Sequence, residues 1–249
     1  MANWLYTDVH GCIDELRDLY ALTSPAENDT FVIAGDLLDR GPDSVAVVRF
    51  FRELSVQFNV VLVMGNHEYK HQRYRSNLEA RPKVAKDMAQ VKPELETITE
   101  KLSAEDIAFL DSAVLYHVLP GCNSIVIHGG FPPAMNRLPP DPANWSKYES
   151  QILYLRNVDS RGNMARFDGS TKDMVFWAKL YDGRFGHTYF GHQPFIGKEK
   201  PVTFPNATGF DLGCAFGGRL ACIRVDEFGS NVFTVNARAQ YAQPYMEDT

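Results

Sequence analysis

No stretch of this chain stays apolar for the ~20 residues that a membrane-spanning helix requires, which excludes an integral helical membrane protein. Cysteine is scarce. Cys12, Cys122, Cys214 and Cys222 form no CxxC pair and no zinc-finger spacing. They read as free thiols packed as small hydrophobes in a reducing compartment, not as a disulfide framework. Positive charge is not in excess either: 25 basic residues face 31 acidic ones, a net charge of −6. That balance argues against a membrane partner and against a stable nucleic-acid partner. Phosphate-bearing substrates stay compatible, because bound divalent cations create a positive field of their own. Internal repeats and low-complexity linkers are missing too, so residues 1–249 are read as one domain.

What the chain does have is a repeated strand-then-helix pattern. Residues 4–8 read as a short strand, and Ile13, Leu16, Leu19 and Tyr20 then recur at helical spacing. Phe31-Val32-Ile33-Ala34 is a second strand run, with Val47, Phe50, Phe51 and Leu54 marking the helix after it. Val60-Val61-Leu62-Val63-Met64 is a third, near-continuous apolar strand. Three such units imply a parallel sheet covered by helices, and ligands collect outside the carboxyl ends of such strands. Residues 69–113 are helical in pattern, with Ser103 and Asp106 spaced as a capping box. Strand patterns resume at 114–119, 124–127 and 188–190. Residues 131–170 read as long loops, and 219–226 with 231–235 as a hairpin around Phe228-Gly229-Ser230.

The chemistry sits where those strands end. Asp8-Val9-His10-Gly11, Gly35-Asp36-Leu37-Leu38-Asp39-Arg40-Gly41, Gly65-Asn66-His67-Glu68, His128-Gly129-Gly130 and Gly191-His192 each put an oxygen or imidazole donor beside glycine. Singly, an Asp or Asn at a strand end is more often a helix cap, and a lone His a core or surface residue. Five in succession point to metal. Together they resemble the signature of the phosphoprotein-phosphatase branch of the calcineurin-like metallophosphoesterases, over roughly residues 5–226.

The resemblance implies an α/β fold: a four-layer α-β-β-α sandwich of two mixed β-sheets flanked by helices. It also implies a phosphoric ester hydrolase with two divalent ions, Mn²⁺ first and Fe or Zn²⁺ as alternatives, whose shared hydroxide is the nucleophile. By resemblance, Asp8, His10 and Asp36 hold the first ion. Asp36, Asn66, His128 and His192 hold the second, with Asp36 as the bridge. His67 protonates the leaving oxygen, oriented by Asp39, which should favour its protonated form. Arg40 grips the phosphate, and Arg156 is a second such arginine. A cleaved secretory signal of ~15–30 residues would remove Asp8 and His10, so the expected location is the cytoplasm. His71, His117 and His187 gain no role and read as structural or surface side chains. Lys70, Arg73, Arg75, Arg81, Lys83 and Lys86 read first as a solvated helix face, with a substrate-gripping patch as the alternative.

Within the branch, Asp39-Arg40-Gly41 and Gly65-Asn66-His67-Glu68 look like the protein-phosphatase pattern. Symmetrical dinucleoside tetraphosphatases usually carry Asp after that histidine and often lack the Asp before the arginine. Gly209-Phe210-Asp211-Leu212-Gly213-Cys214 through Leu220 is similar to the closing segment of small bacterial and phage protein phosphatases. It is closer to the phosphatase module of bacterial polynucleotide kinase–phosphatases and to stand-alone relatives acting on dinucleoside polyphosphates. Met64, Leu212 and Gln193-Pro194 depart from related patterns, Met64 away from the eukaryotic enzymes. The expected activity is that of a serine/threonine-type protein phosphatase, acting on a phosphorylated protein, or a related phosphomonoesterase. The alternatives are a dinucleoside polyphosphate such as diadenosine tetraphosphate, a nucleotide or RNA-end 2′/3′-phosphate and, remotely, a non-catalytic scaffold. The oligomeric state is open.

Overall fold

The computed structural model describes residues 1–133, 135–143, 149–159, 164 and 174–244. The expected strand–helix repeat is present as β1 (Asn3–Tyr6), α1 (Ile13–Ala21), β2 (Thr30–Ile33), α2 (Ser44–Leu54), β3 (Asn59–Leu62) and α3 (Asn66–Ala80). Three further helices follow: α4 (Pro82–Val91), α5 (Glu94–Thr99) and α6 (Ala104–Asp111). Their ends are fixed by local chemistry. Asp43 caps α2 by accepting from the Ala46 N–H, and Ser103 and Asp106 form the expected capping box on α6. The Asp106 carboxylate also pairs with Arg49 and Arg52, tying α6 to α2.

The chain then supplies β4 (Tyr116–Leu119), β5 (Ser124–Ile127), α7 (Glu149–Ile152), β6 (Asn157–Val158), β7 (Val175–Phe176), β8 (His187–Phe190), β9 (Val202–Phe204), β10 (Ala207–Gly209), β11 (Arg219–Asp226) and β12 (Gly229–Asn236). Two mixed five-stranded sheets result, ordered β12-β11-β1-β2-β3 and β4-β5-β8-β10-β9, plus a small β6–β7 pair. Much of the expected 131–170 loop region lies outside the described residues.

Strand alternation builds the layers. Leu5, Val32, Ile223 and Val225 of the first sheet pack with Leu119, Val126 and Tyr189 of the second, closing a core between the sheets. Their sequence neighbours Tyr6, Phe31, Ile33 and Cys222 face the other way, into a cluster with Leu16 and Leu19 of α1 and Val47 and Phe51 of α2. The result is two mixed sheets flanked by helices, as the resemblance implied.

Three details differ from the sequence reading. The third strand is half-exposed at Val60 and Val61, because β3 is the edge of its sheet. The β11–β12 turn is Glu227-Phe228, since Asp226 pairs directly with Gly229. The β9–β10 hairpin had no periodic pattern to announce it.

Candidate metal centre

Strands β1, β2 and β3 run parallel in one sheet, and β5, β8 and β10 run parallel in the other. Past the last residue of each stands a polar side chain: Asp8, Asp36, Asn66, His128, His192 and Asp211. Both sheets aim these ends at one place. Oδ2 of Asp36 is ringed by three imidazole Nε2 atoms, at 3.4 Å from His128, 3.6 Å from His10 and 3.9 Å from His67. Its other oxygen accepts the His67 backbone N–H at 2.9 Å. Asp36 groups with His10 and His67 on one side and with His128 and His192 on the other, the donor atoms of each group lying within 4.8 Å of one another. Asp8 approaches His10 at 3.9 Å and accepts the His192 backbone N–H.

The backbone is strained at this spot. Positive φ angles occur at Asp8 (46°), His10 (46°), Asp36 (56°), Asp39 (70°), Arg40 (68°) and His192 (65°). Among the described non-glycine residues only Asn123 shares this feature. Such conformations cost on the order of 1–3 kcal/mol each and persist where the surroundings over-determine them. Glycine makes room beside them: a Cβ on Gly191 would collide with Asp8 Oδ2 and Thr7 Oγ1.

The tautomers are set for cation binding. Nδ1 of His10 donates to the Leu38 carbonyl at 2.7 Å, and Nδ1 of His128 to the Ala34 carbonyl at 2.7 Å. Each Nε2 lone pair is thereby left facing the site. For His128 that lone pair meets Asn66 Oδ1 at 3.0 Å as well as Asp36, so acceptors crowd acceptors. A shared proton or a cation satisfies that contact, and the donor set fits divalent ions. The ionisation behaviour agrees. Burial opposes charge on His128, but the Asp36 and Asp8 carboxylates outweigh it and raise its pKa to about 9. Burial and the neighbouring Asp211 charge push the Asp8 carboxyl well up. Burial together with the nearby Arg40 holds His10 neutral, and burial with Arg156 does the same for His192.

Around this centre, His67 Nδ1 bonds Asp39 Oδ2 at 2.6 Å. Asp39 does pull the His67 pKa upward as expected. Burial outweighs it, and the net shift is downward. Arg40 Nη1 contacts His10 Nε2 at 2.9 Å with its guanidinium over Phe216, and Arg156 Nη2 donates to the His192 carbonyl at 3.1 Å. All ten residues singled out from the sequence therefore stand together.

The sequence model for Calcineurin-like phosphoesterase matches residues 4–195. This chain belongs to the calcineurin-like phosphoesterase family. Of its relatives, the asymmetrical bis(5′-nucleosyl)-tetraphosphatase PrpE of Bacillus velezensis is 29% identical, covering 91% of this chain and 90% of that protein. The symmetrical bis(5′-nucleosyl)-tetraphosphatase of Pectobacterium atrosepticum is 30% identical, covering 91% and 92%. A crystal structure described as a candidate diadenosine tetraphosphatase superposes with a TM-score of 0.71 at 22% identity, covering 95% of this chain and 93% of that one. These names match the dinucleoside polyphosphate alternative better than the expected serine/threonine protein phosphatase.

Four further residues of this phosphoesterase were not singled out as site residues from sequence. Glu68, buried, accepts from the backbone N–H groups of Asp36, Leu37 and Leu38, clamping the loop that carries Asp39 and Arg40. Burial raises its pKa to about 7. Asp211, also buried and raised by burial to about 6, lies by Asp8 and Arg40. His71 is fully buried and bonds Asp39 Oδ1 at 2.8 Å. Lys70 is half-buried. Burial lowers its pKa, Asp36 and Asp39 pull it back up, and Lys92 and Arg40 push it down, so those charges surround it. The solvated-face reading suits Arg73, Arg81, Lys83 and Lys86, which are exposed, while Arg75 pairs with Asp111.

Proposed function

We propose that this phosphoesterase hydrolyses dinucleoside polyphosphates of the diadenosine tetraphosphate type. We propose further that it cuts off-centre, releasing a nucleoside monophosphate and a nucleoside triphosphate. The observation that carries the reading is likeness to bis(5′-nucleosyl)-tetraphosphatases along nearly the whole chain. Off-centre cleavage is favoured by Glu68 after His67 and by the presence of Asp39, both departures from the usual symmetrical pattern.

The charge around the site supports a substrate with several phosphates. Arg40 and Arg156 suffice for one phosphoryl group, and Lys70, within electrostatic reach of Arg40, Asp36 and Asp39, adds cationic charge near them.

In this reading Asp8, His10 and Asp36 would hold one divalent ion, and Asp36, Asn66, His128 and His192 would hold the other. Such a pair supplies an activated water and neutralises phosphoryl oxygens. Oxygen and imidazole donors without thiolate suit Mn²⁺ well. Arg40 and Arg156 orient the phosphoryl group and take up charge that develops on its oxygens. As the P–O bond of the anhydride breaks, the protonated fraction of His67, which Asp39 and Asp36 favour against the larger effect of burial, would pass its Nε2 proton to the leaving oxygen while Asp39 holds its Nδ1–H. The buried free thiols Cys12, Cys214 and Cys222 favour a reducing compartment, the cytoplasm.

The test is product analysis with Mn²⁺ on diadenosine tetraphosphate, run beside phosphopeptides and p-nitrophenyl phosphate. AMP plus ATP at the highest kcat/KM is the expected result. Exclusive formation of ADP would overturn off-centre cleavage, and higher kcat/KM on phosphopeptides would overturn the substrate class.

A further inference from the structure

We infer that His71 is a positioning residue for proton transfer, locking the Asp39 carboxylate so that His67 presents Nε2 to the leaving oxygen. The inference rests on the acid role given to His67 above.

The geometry is a two-sided clamp. Asp39 Oδ2 bonds His67 Nδ1 at 2.6 Å, and Asp39 Oδ1 bonds His71 Nε2 at 2.8 Å. Both imidazoles come from α3, one helical turn apart, so they share a face and reach the same carboxylate. Asp39 itself comes from a loop, at a φ of 70°. With a single bond, a loop carboxylate can rotate about its Cβ–Cγ axis and carry the His67 ring with it. A second bond to the other oxygen stops that rotation. The Asp39 backbone N–H is held as well, by Ser44 Oγ at 2.9 Å.

The protonation pattern follows from the partners. Burial opposes charge on Asp39, yet the hydrogen bonds from His67 and His71 prevail and keep it ionised. An ionised carboxylate only accepts, so His71 must carry its proton on Nε2. Its Nδ1 is buried and meets no hydrogen-bond partner, so no second bond ties the ring elsewhere. Donating through Nε2–H to Oδ1, His71 orients the carboxylate from the oxygen that His67 does not use.

Removing the orienting partner of an active group costs on the order of 10–100-fold. The test compares His71→Leu, which removes the donor, with His71→Gln, whose amide can still donate to Asp39. Rates are measured with Mn²⁺ on p-nitrophenyl phosphate, whose leaving group hardly needs a proton, and on phenyl and alkyl phosphates, whose leaving groups do. The expected result for His71→Leu is a loss of about 10–100-fold on the poor leaving groups with p-nitrophenyl phosphate nearly unchanged, and recovery in His71→Gln. Equal losses on all substrates, or a glutamine variant no better than leucine, overturn the inference. His67→Asn is the control. If it shows no leaving-group dependence, the acid reading fails. If it does and His71→Leu does not, only the His71 inference fails. Should His71→Leu not fold, nitrogen-15 spectra of the unmutated protein decide: Nε2–H on His71 supports the clamp, and Nδ1–H overturns it.

Discussion

Oδ2 of Asp36 lies 3.4 Å from Nε2 of His128, joining the ends of β2 and β5 and hence the two sheets. The same oxygen is 3.6 Å from Nε2 of His10, so one atom faces imidazoles on both sides. Asp36→Asn keeps the shape and removes the charge that two cations would share. Bound Mn²⁺ is expected to fall below two per chain, with metal affinity down by at least about 10–100-fold and diadenosine tetraphosphate turnover nearly abolished. Metal analysis beside the activity assay checks this. Full metal content with near-normal turnover would contradict it.

The same relationship sets a pH dependence for the cation-free protein. Burial disfavours charge on His128, but Asp36 and Asp8 raise its pKa from 6.5 to about 9. Its folded pKa lies above the unfolded one, so the native state holds a proton that the unfolded chain has released. That contribution to stability is complete below pH 6.5 and is lost as pH rises toward 9. Glu68, raised to about 7, acts in the same direction at lower pH. The melting temperature in chelator is expected to fall between pH 7 and 9. Mn²⁺ should displace the proton, so its stabilisation should be largest at the alkaline end, with proton release on binding. A melting temperature in chelator that is flat or rising over this range would refute the expectation.

Those strand ends were legible because apolar runs such as Phe31–Ala34 and Ser124–Ile127 stop at a glycine or a metal-type donor. Asp211 follows β10, a strand of only three residues after Pro205-Asn206, and no periodic run announces it. Glu68 and His71 are silent for another reason. Helical spacing shows that His67 and His71 share a face of α3, but their common partner Asp39 lies some thirty positions away on a loop. For Lys70 the sequence leaves a solvated face and a substrate-gripping patch both open, because it shows charge and not what the next layer presents to it. The edge position of β3 is likewise a property of sheet order rather than of Val60 and Val61 themselves.

Gly191 is a place where sequence and geometry meet. A Cβ there would collide with Asp8 Oδ2 and with Thr7 Oγ1, and these two side chains are hydrogen-bonded to each other. Gly191→Ala should displace the Asp8 carboxylate, with overpacking costing roughly 1–3 kcal/mol of stability. Lower Mn²⁺ content and a lower melting temperature are both expected. Unchanged metal binding in the variant would show that Asp8 can move aside without consequence.

Lys70 separates a polyphosphate substrate from a simple phosphate ester. It stands one turn after His67 on α3, half-buried among the charges of Asp36, Asp39, Arg40 and Lys92. A phosphate chain running past the cleaved bond would find its ammonium, whereas a single phosphoryl group held by Arg40 and Arg156 would not need it. Lys70→Ala should therefore raise KM for diadenosine tetraphosphate about tenfold, the loss of one charge-assisted contact of roughly 1.5 kcal/mol. KM for p-nitrophenyl phosphate should change little. Added salt should weaken the wild type toward the variant on the tetraphosphate, since part of the attraction is screened. If both substrates lose affinity alike, Lys70 acts on the catalytic centre itself and the phosphate chain must run along another face.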